Sequence, residues 1–169
     1  MSRIIQSVAL LVNFLEQAYD KKAWHGTTLR GSLRNVALKE ALWRPSPKHH
    51  NIWEIVLHTA YWKYIVRRKL GRLAEEEFPR KGSDWPFLPD KTDIKAWRSD
   101  IAILKNQHLL LIEALKKLPD NKIETNAPDS KLKYESYILG IGSHDLYHAG
   151  QIQLLKRLQR GGVAKVRIR

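Results

Sequence analysis

The stretch Gly140-Ile-Gly-Ser-His-Asp-Leu-Tyr-His-Ala-Gly-Gln-Ile-Gln-Leu-Leu155 places His144 and His148 four residues apart. Residues i and i+4 of an α-helix share a face, so both imidazoles point the same way. Tyr137, Ile141, His144, His148, Gln151, Leu155 and Leu158 follow alternating steps of four and three, the repeat of a buried bundle seam. Two imidazoles at positions that favour Leu need a partner to offset their desolvation, and a metal ion is the strongest one.

The same periodicity recurs upstream. Asn51 is a good N-cap, and Glu54 three residues later completes a capping box; Ile55, His58, Trp62 and Ile65 then mark a second seam that also carries a histidine. Outward from these two segments, a first amphipathic helix is expected over Ser2 to Tyr19. Trp24-His25-Gly26-Thr27-Thr28 forms a connector, and a shorter helix over Leu29 to Leu42 ends at Arg44-Pro45-Ser46-Pro47. A long turn containing Asp84-Trp85-Pro86-Phe87-Leu88-Pro89 reads as an ordered loop packed over something. A third long helix spans Lys91 to Leu118 with Thr92 as cap, and the last runs from Tyr134 to Gln159. The reading is all-α: a four-helix bundle with an extra short helix and a long ordered loop, as one domain over 1–160, followed by a basic tail at 161–169.

Composition sets bounds on the chemistry. The 169 residues contain no cysteine, so a metal must be held by His, Asp, Glu or water. The apolar residues near the N-terminus recur at helical spacing with no small-residue cleavage site, and no apolar run is long enough for a membrane span, so a cytoplasmic protein is expected. The net charge is +13, with a basic excess at Lys156, Arg157, Arg160, Lys165, Arg167 and Arg169. That balance suits an anionic small molecule, an anionic surface or nucleic acid. Zinc-finger spacing and RNA-binding aromatic motifs are both missing, which leaves nucleic acid the lesser partner.

One histidine from a facing helix added to an i, i+4 pair gives a three-nitrogen site with coordination positions left open, a catalytic pattern more than a structural one. Three neutral imidazoles suit Zn²⁺, Ni²⁺, Fe²⁺ or Co²⁺. The bland readings are a carbonyl-bonded His144, a His148 bonded to buried water and a satisfied core His58.

The segments Ile52-Trp-Glu-Ile-Val-Leu-His-Thr-Ala-Tyr-Trp-Lys63 and His144-Asp-Leu-Tyr-His-Ala-Gly-Gln-Ile152 resemble the DinB/YfiT-like superfamily. Trp24-His25-Gly26 and Asp84-Trp85-Pro86 resemble one branch of it, and the similarity spans about Ile4 to Arg160. The resemblance implies a four-helix bundle, a metal site of His58, His144 and His148, and a homodimer as one arrangement. It also implies a metal-dependent enzyme acting on a small molecule. Such an enzyme either transfers a low-molecular-weight thiol cosubstrate to an electrophile or hydrolyses a substrate with metal-bound water. The alternative class is a basic, stress-associated binding protein that engages nucleic acid or a protein partner, with a structural or vestigial metal.

Five neighbours are candidates for supporting the site or touching substrate. Asp145 either orients an imidazole or faces solvent; Glu54 caps its helix or supports His58 from one turn away. Gln151 touches substrate or is a bundle-bonded amide, and His25 is a substrate contact or part of a turn. Trp85 covers the pocket or packs the loop. His49, His50 and His108 read as surface or cap residues, and Trp53, Trp62 and Trp97 as core.

Overall fold

Residues 7–71 and 76–161 are described by the computed structural model, and four long helices carry the architecture. Helix α1 (Val8–Tyr19) begins at Ser7, whose extended backbone and side-chain bond to the Leu10 amide stop the helix there. The expected start at Ser2, like the tail from 162 onward, lies outside the described residues. The expected single helix over Leu29 to Leu42 is instead two short ones, α2 (Leu29–Ser32) and α3 (Leu38–Leu42). Between them Asn35 takes a left-handed φ of 57°, a conformation a continuing helix excludes.

Helix α4 (Ile52–Leu70) opens with the expected capping box: Glu54 N–H donates to Asn51 Oδ1 at 2.8 Å, and Asn51 N–H to Glu54 Oε2 at 2.9 Å. Helix α5 (Ile94–Lys116) is shorter than expected at both ends; at its start Asp93 rather than Thr92 caps it by accepting from the Ala96 amide. Helix α6 (Tyr134–Gln159) has the expected bounds. Among the described residues there is no strand, only an isolated bridge between Asn126 and Lys133. The molecule is an all-α bundle.

Helix α4 is the central element, buried along most of its circumference and packed on both α5 and α6, while α1 closes the bundle against α5 and α6. One core cluster joins Trp53, Ile55 and Leu57 to Trp97, Leu104, Ile152 and Leu155. A second joins Val66 and Leu70 to Leu11, Leu15, Leu111, Ile138 and Ile141. The start of α4 thus meets the end of α6 and its end meets the start of α6, so the two run antiparallel. Helices α1 and α6 approach closely at Gly142, where a Cβ would lie 2.3 Å from Phe14 Cε1.

The buried face of α6 is rotated from the expected seam. Its centre runs through Ile138, Gly142, Asp145, Ala149, Ile152 and Lys156, while Tyr137, His144 and Gln151 lie half-buried along its edge and Leu158 is 52% exposed. Spacing alone misses this because two charged residues sit inside it. Lys156 Nζ donates to the Ser32 and Arg34 carbonyls at 2.8 and 2.9 Å, and Asp145 accepts from Lys63 Nζ at 2.5 Å with both side chains fully buried. Asp145 therefore neither faces solvent nor orients an imidazole: it pairs across the α4–α6 interface.

Removing one member of such a pair strands a charge in the core, at about 3–5 kcal/mol. Lys63→Met should lower unfolding stability by about that amount, and Lys63→Met/Asp145→Leu should recover most of it. Urea titrations of the three proteins check this; a double variant no more stable than the single one would count against the pairing.

Candidate metal centre

His58 comes from the middle of α4, and His144 and His148 project from successive turns of α6. The antiparallel packing brings their rings together: His144 Nε2 lies 3.0 Å from His58 Nε2 and 3.0 Å from His148 Nε2. The candidate ligand atoms of the three residues all lie within 4.8 Å of one another.

The outer nitrogens fix which atoms face inward. His58 Nδ1 donates to the Asp84 carbonyl at 2.7 Å, and His148 Nδ1 donates to Gln151 Oε1 at 2.7 Å. A neutral ring protonated at Nδ1 presents a bare lone pair at Nε2. Two bare nitrogens therefore face His144 Nε2, which has one proton at most to share between two contacts. Protonating the rings would relieve the shortage, but burial opposes it. Burial first, then the neighbouring His148, His58 and Lys63, push His144 down to about 3. Burial, and secondarily His58, push His148 down to about 4 although Gln151 works the other way. His58 is also lowered, chiefly by burial, against the raising influence of Asp84. Three neutral, inward-facing nitrogens short of hydrogen fit a divalent transition metal, and His58, His144 and His148 could hold it. With nitrogen donors only, Zn²⁺, Ni²⁺, Fe²⁺ and Co²⁺ all match.

The long loop builds one wall of this centre. Arg80 donates to fully buried Asp100 at 2.6 Å, the Phe87 amide to the Lys81 carbonyl at 2.9 Å, and Trp62 Nε1 to Asp84 Oδ1 at 2.7 Å. Asp84, at a left-handed φ of 60°, turns its carbonyl onto His58. Trp85 stacks on His58 with centroids 3.9 Å apart and on His50 with centroids 3.5 Å apart, so it sits between two imidazoles. Trp85 thus both packs the loop and lines the pocket. Trp62, expected in the core, is half-buried and ties the loop to α4.

All three rings line an open cleft of about 590 Å³. Ile55, Leu154, Leu155 and Leu158 give it an apolar wall, and Lys48, His49 and His50 stand on the segment before α4. His49 and His50 are exposed, as expected of surface residues, and also line the cleft; only the tertiary path of residues 45–51 reveals the second point. Gln151 lines the cleft and holds His148. Glu54 is occupied by its cap and by Arg44 at 2.9 Å and does not support His58. His25 is exposed and absent from the cleft lining, next to a fully exposed Trp24.

Sequence reasoning missed a polar cluster in the core. His108 is buried, stacked on Tyr19 at 3.8 Å, and burial and then Lys63 hold its ring far below the ordinary histidine range. The ammonium of Lys63 lies 5.2 Å from the Tyr19 ring centroid. Tyr19 on α1 thus offers its ring face to Lys63, and His108 on α5 packs against that ring as a core residue. A single His on α5 with no paired partner in sequence carries no signal of that role.

The sequence model of the DinB superfamily matches residues 22–152, more than half of the chain and a span that holds all three histidines. No curated protein and no solved structure matches it.

Two outcomes follow from this geometry. Gln151→Leu removes the acceptor for His148 Nδ1 and should weaken Zn²⁺ binding by about 10–100-fold with helical content unchanged; competition with a chromophoric chelator measures it, and wild-type affinity would refute the positioning. The metal-free rings bind fewer protons folded than unfolded from about pH 6.5 down to about 3, so stability should be full above that window and fall as pH falls through it. Urea midpoints in EDTA at stepped pH test this, and a flat profile would contradict it.

Proposed function

This chain belongs to the DinB superfamily, and from that membership and its open three-imidazole cleft we propose a metal-dependent enzyme that transfers a low-molecular-weight thiol to an electrophilic small molecule. The observation that carries the reading is that His58, His144 and His148 all line a solvent-open cleft, where a purely structural ion would be closed off by a fourth protein ligand.

A bound transition metal would supply Lewis acidity, lowering the pKa of a thiol brought to it. The protein supplies the rest. The Asp84 carbonyl and Gln151 hold two rings in the tautomer that offers Nε2. Trp85 shields His58 from water on its loop side, and the apolar wall of Ile55, Leu154 and Leu158 accommodates the electrophile's hydrocarbon body. Lys48 is the cation placed to attract a carboxylate on the thiol cosubstrate. In the transfer, the S–C bond forms as the bond from carbon to the leaving group breaks, and the thiol proton leaves with that group.

Lys48 and the apolar wall suit a carboxylate-bearing thiol and an apolar electrophile, and hydrolysis is the second reading. Hydrolysis calls for a group that takes a proton from water and delivers one to the leaving group, a task His49 or His50 on the cleft lining could perform. A thiol whose pKa a bound metal lowered would be a strong nucleophile and would need no such base. A cytoplasmic setting, rich in low-molecular-weight thiols, suits this reading.

The test begins with elemental analysis of untagged protein beside His148→Ala, then a screen of glutathione and cysteine against aryl halides and epoxides, with ester hydrolysis in parallel. Thiol-dependent turnover that falls by more than about a hundredfold in His148→Ala, beyond what loss of a supporting hydrogen bond costs, is expected. Turnover of esters without thiol would replace transfer by hydrolysis. Equal, negligible metal in both proteins after exposure to Zn²⁺, Ni²⁺ and Fe²⁺ would overturn the enzyme reading in favour of a basic binding protein.

A further inference from the structure

A second cleft, of about 700 Å³, shares no lining residue with the first and lies where the end of α1, α2 and the first half of α5 meet. Its floor includes buried Trp97 and Leu104, and its rim carries Arg30, Arg34, Arg98 and Lys105. Four cations thus face one carboxylate, Asp20, which Arg30 already engages. Arg34, Arg98 and Lys105 have no acidic partner among the described residues. Arg98 and Lys105 are two turns apart on α5, on one side of the cleft, and Arg34 approaches from the segment after α2.

That segment is fixed in place. The Arg34 carbonyl accepts from Lys156 Nζ at 2.9 Å, the Asn35 carbonyl accepts from Arg160 at 3.1 Å, and Asn35 turns the chain with its left-handed φ. Lys156 is itself buried, so a core cation holds the backbone that presents Arg34 to the cleft. Holding like charges around one concavity is unfavourable without an anion between them. Guanidinium groups match phosphate oxygens in paired hydrogen bonds, and a concave apolar floor suits a compact organic body.

We propose that the cleft between α1, α2 and α5 binds a small organic phosphate, with the phosphate among Arg34, Arg98 and Lys105 and its apolar body over the Trp97–Leu104 floor. The site is independent of the metal centre. Both arginines are exposed, so replacing them leaves the core intact.

Isothermal titration of the full chain with 1-naphthyl phosphate, inorganic phosphate and 1-naphthol at fixed ionic strength tests the site. Saturable 1:1 binding of naphthyl phosphate, at least about tenfold tighter than either part alone, is expected. Arg34→Ser/Arg98→Ser should weaken it by at least about tenfold, while Lys81→Ser/Lys131→Ser, an equal change in net charge elsewhere, and His148→Ala should stay within about twofold. Equal loss in the lysine control would reduce the effect to net charge, and loss in His148→Ala would place the ligand at the metal centre; either overturns the proposal. So would the absence of saturable binding, or tighter binding of a single-stranded oligonucleotide that depends on the same two arginines.

Discussion

The buried ion pair between Lys63 and Asp145 sets the register on which the rest of the structure depends. Lys63 lies five residues after His58, and Asp145 is the residue after His144. With both side chains fully buried, neither charge has solvent to fall back on, so the pair holds only where α4 and α6 align to bring the two together. That alignment also sets His58 against His144 and His148. A slip of one helical turn, about 5.4 Å, would separate the imidazoles and strand two charges at once. The pair's contribution is therefore to specificity of packing more than to net stability.

Cations inside the bundle recur as a device. Lys156 reaches through the core to the carbonyls that end α2, and buried Arg67 engages Glu76 at 2.5 Å where the long loop begins. Each covers the backbone or carboxylate of an irregular segment, and each segment borders a cleft or leads into the loop over the metal centre. Part of the high positive charge is thus internal and structural. The rest is unevenly placed: Lys48 stands at the apolar cleft, whereas four cations surround the second.

At the metal centre, rigidity comes from partners on different elements. A carbonyl in the loop holds His58, a side chain on α6 holds His148, and a tryptophan sandwiched between two imidazoles joins the loop to the segment before α4. The rings are neutral at physiological pH because burial penalises the charged form, so a metal meets unprotonated donors. The open side of the site is apolar, which strengthens electrostatic effects there relative to water.

The existence of the four long helices, the capping box at Asn51 and Glu54, the bounds of α6 and the three histidines were legible in the sequence because each rests on local spacing, which a 3.6-residue period imposes whatever the surroundings. Family membership was legible for the same reason, since its motifs are short runs on single helices. Tertiary structure alone decided the true buried face of α6, because Asp145 reads as an imidazole support or a solvent-facing carboxylate and Lys156 as part of a basic tail until their partners on other elements are known. It likewise decided that His108 is buried, that His49 and His50 reach the cleft, that His25 does not, and that Asp145 serves the core. A polar side chain's burial depends on whether something distant in the chain satisfies its charge or hydrogen bonds, and that partner is chosen by packing.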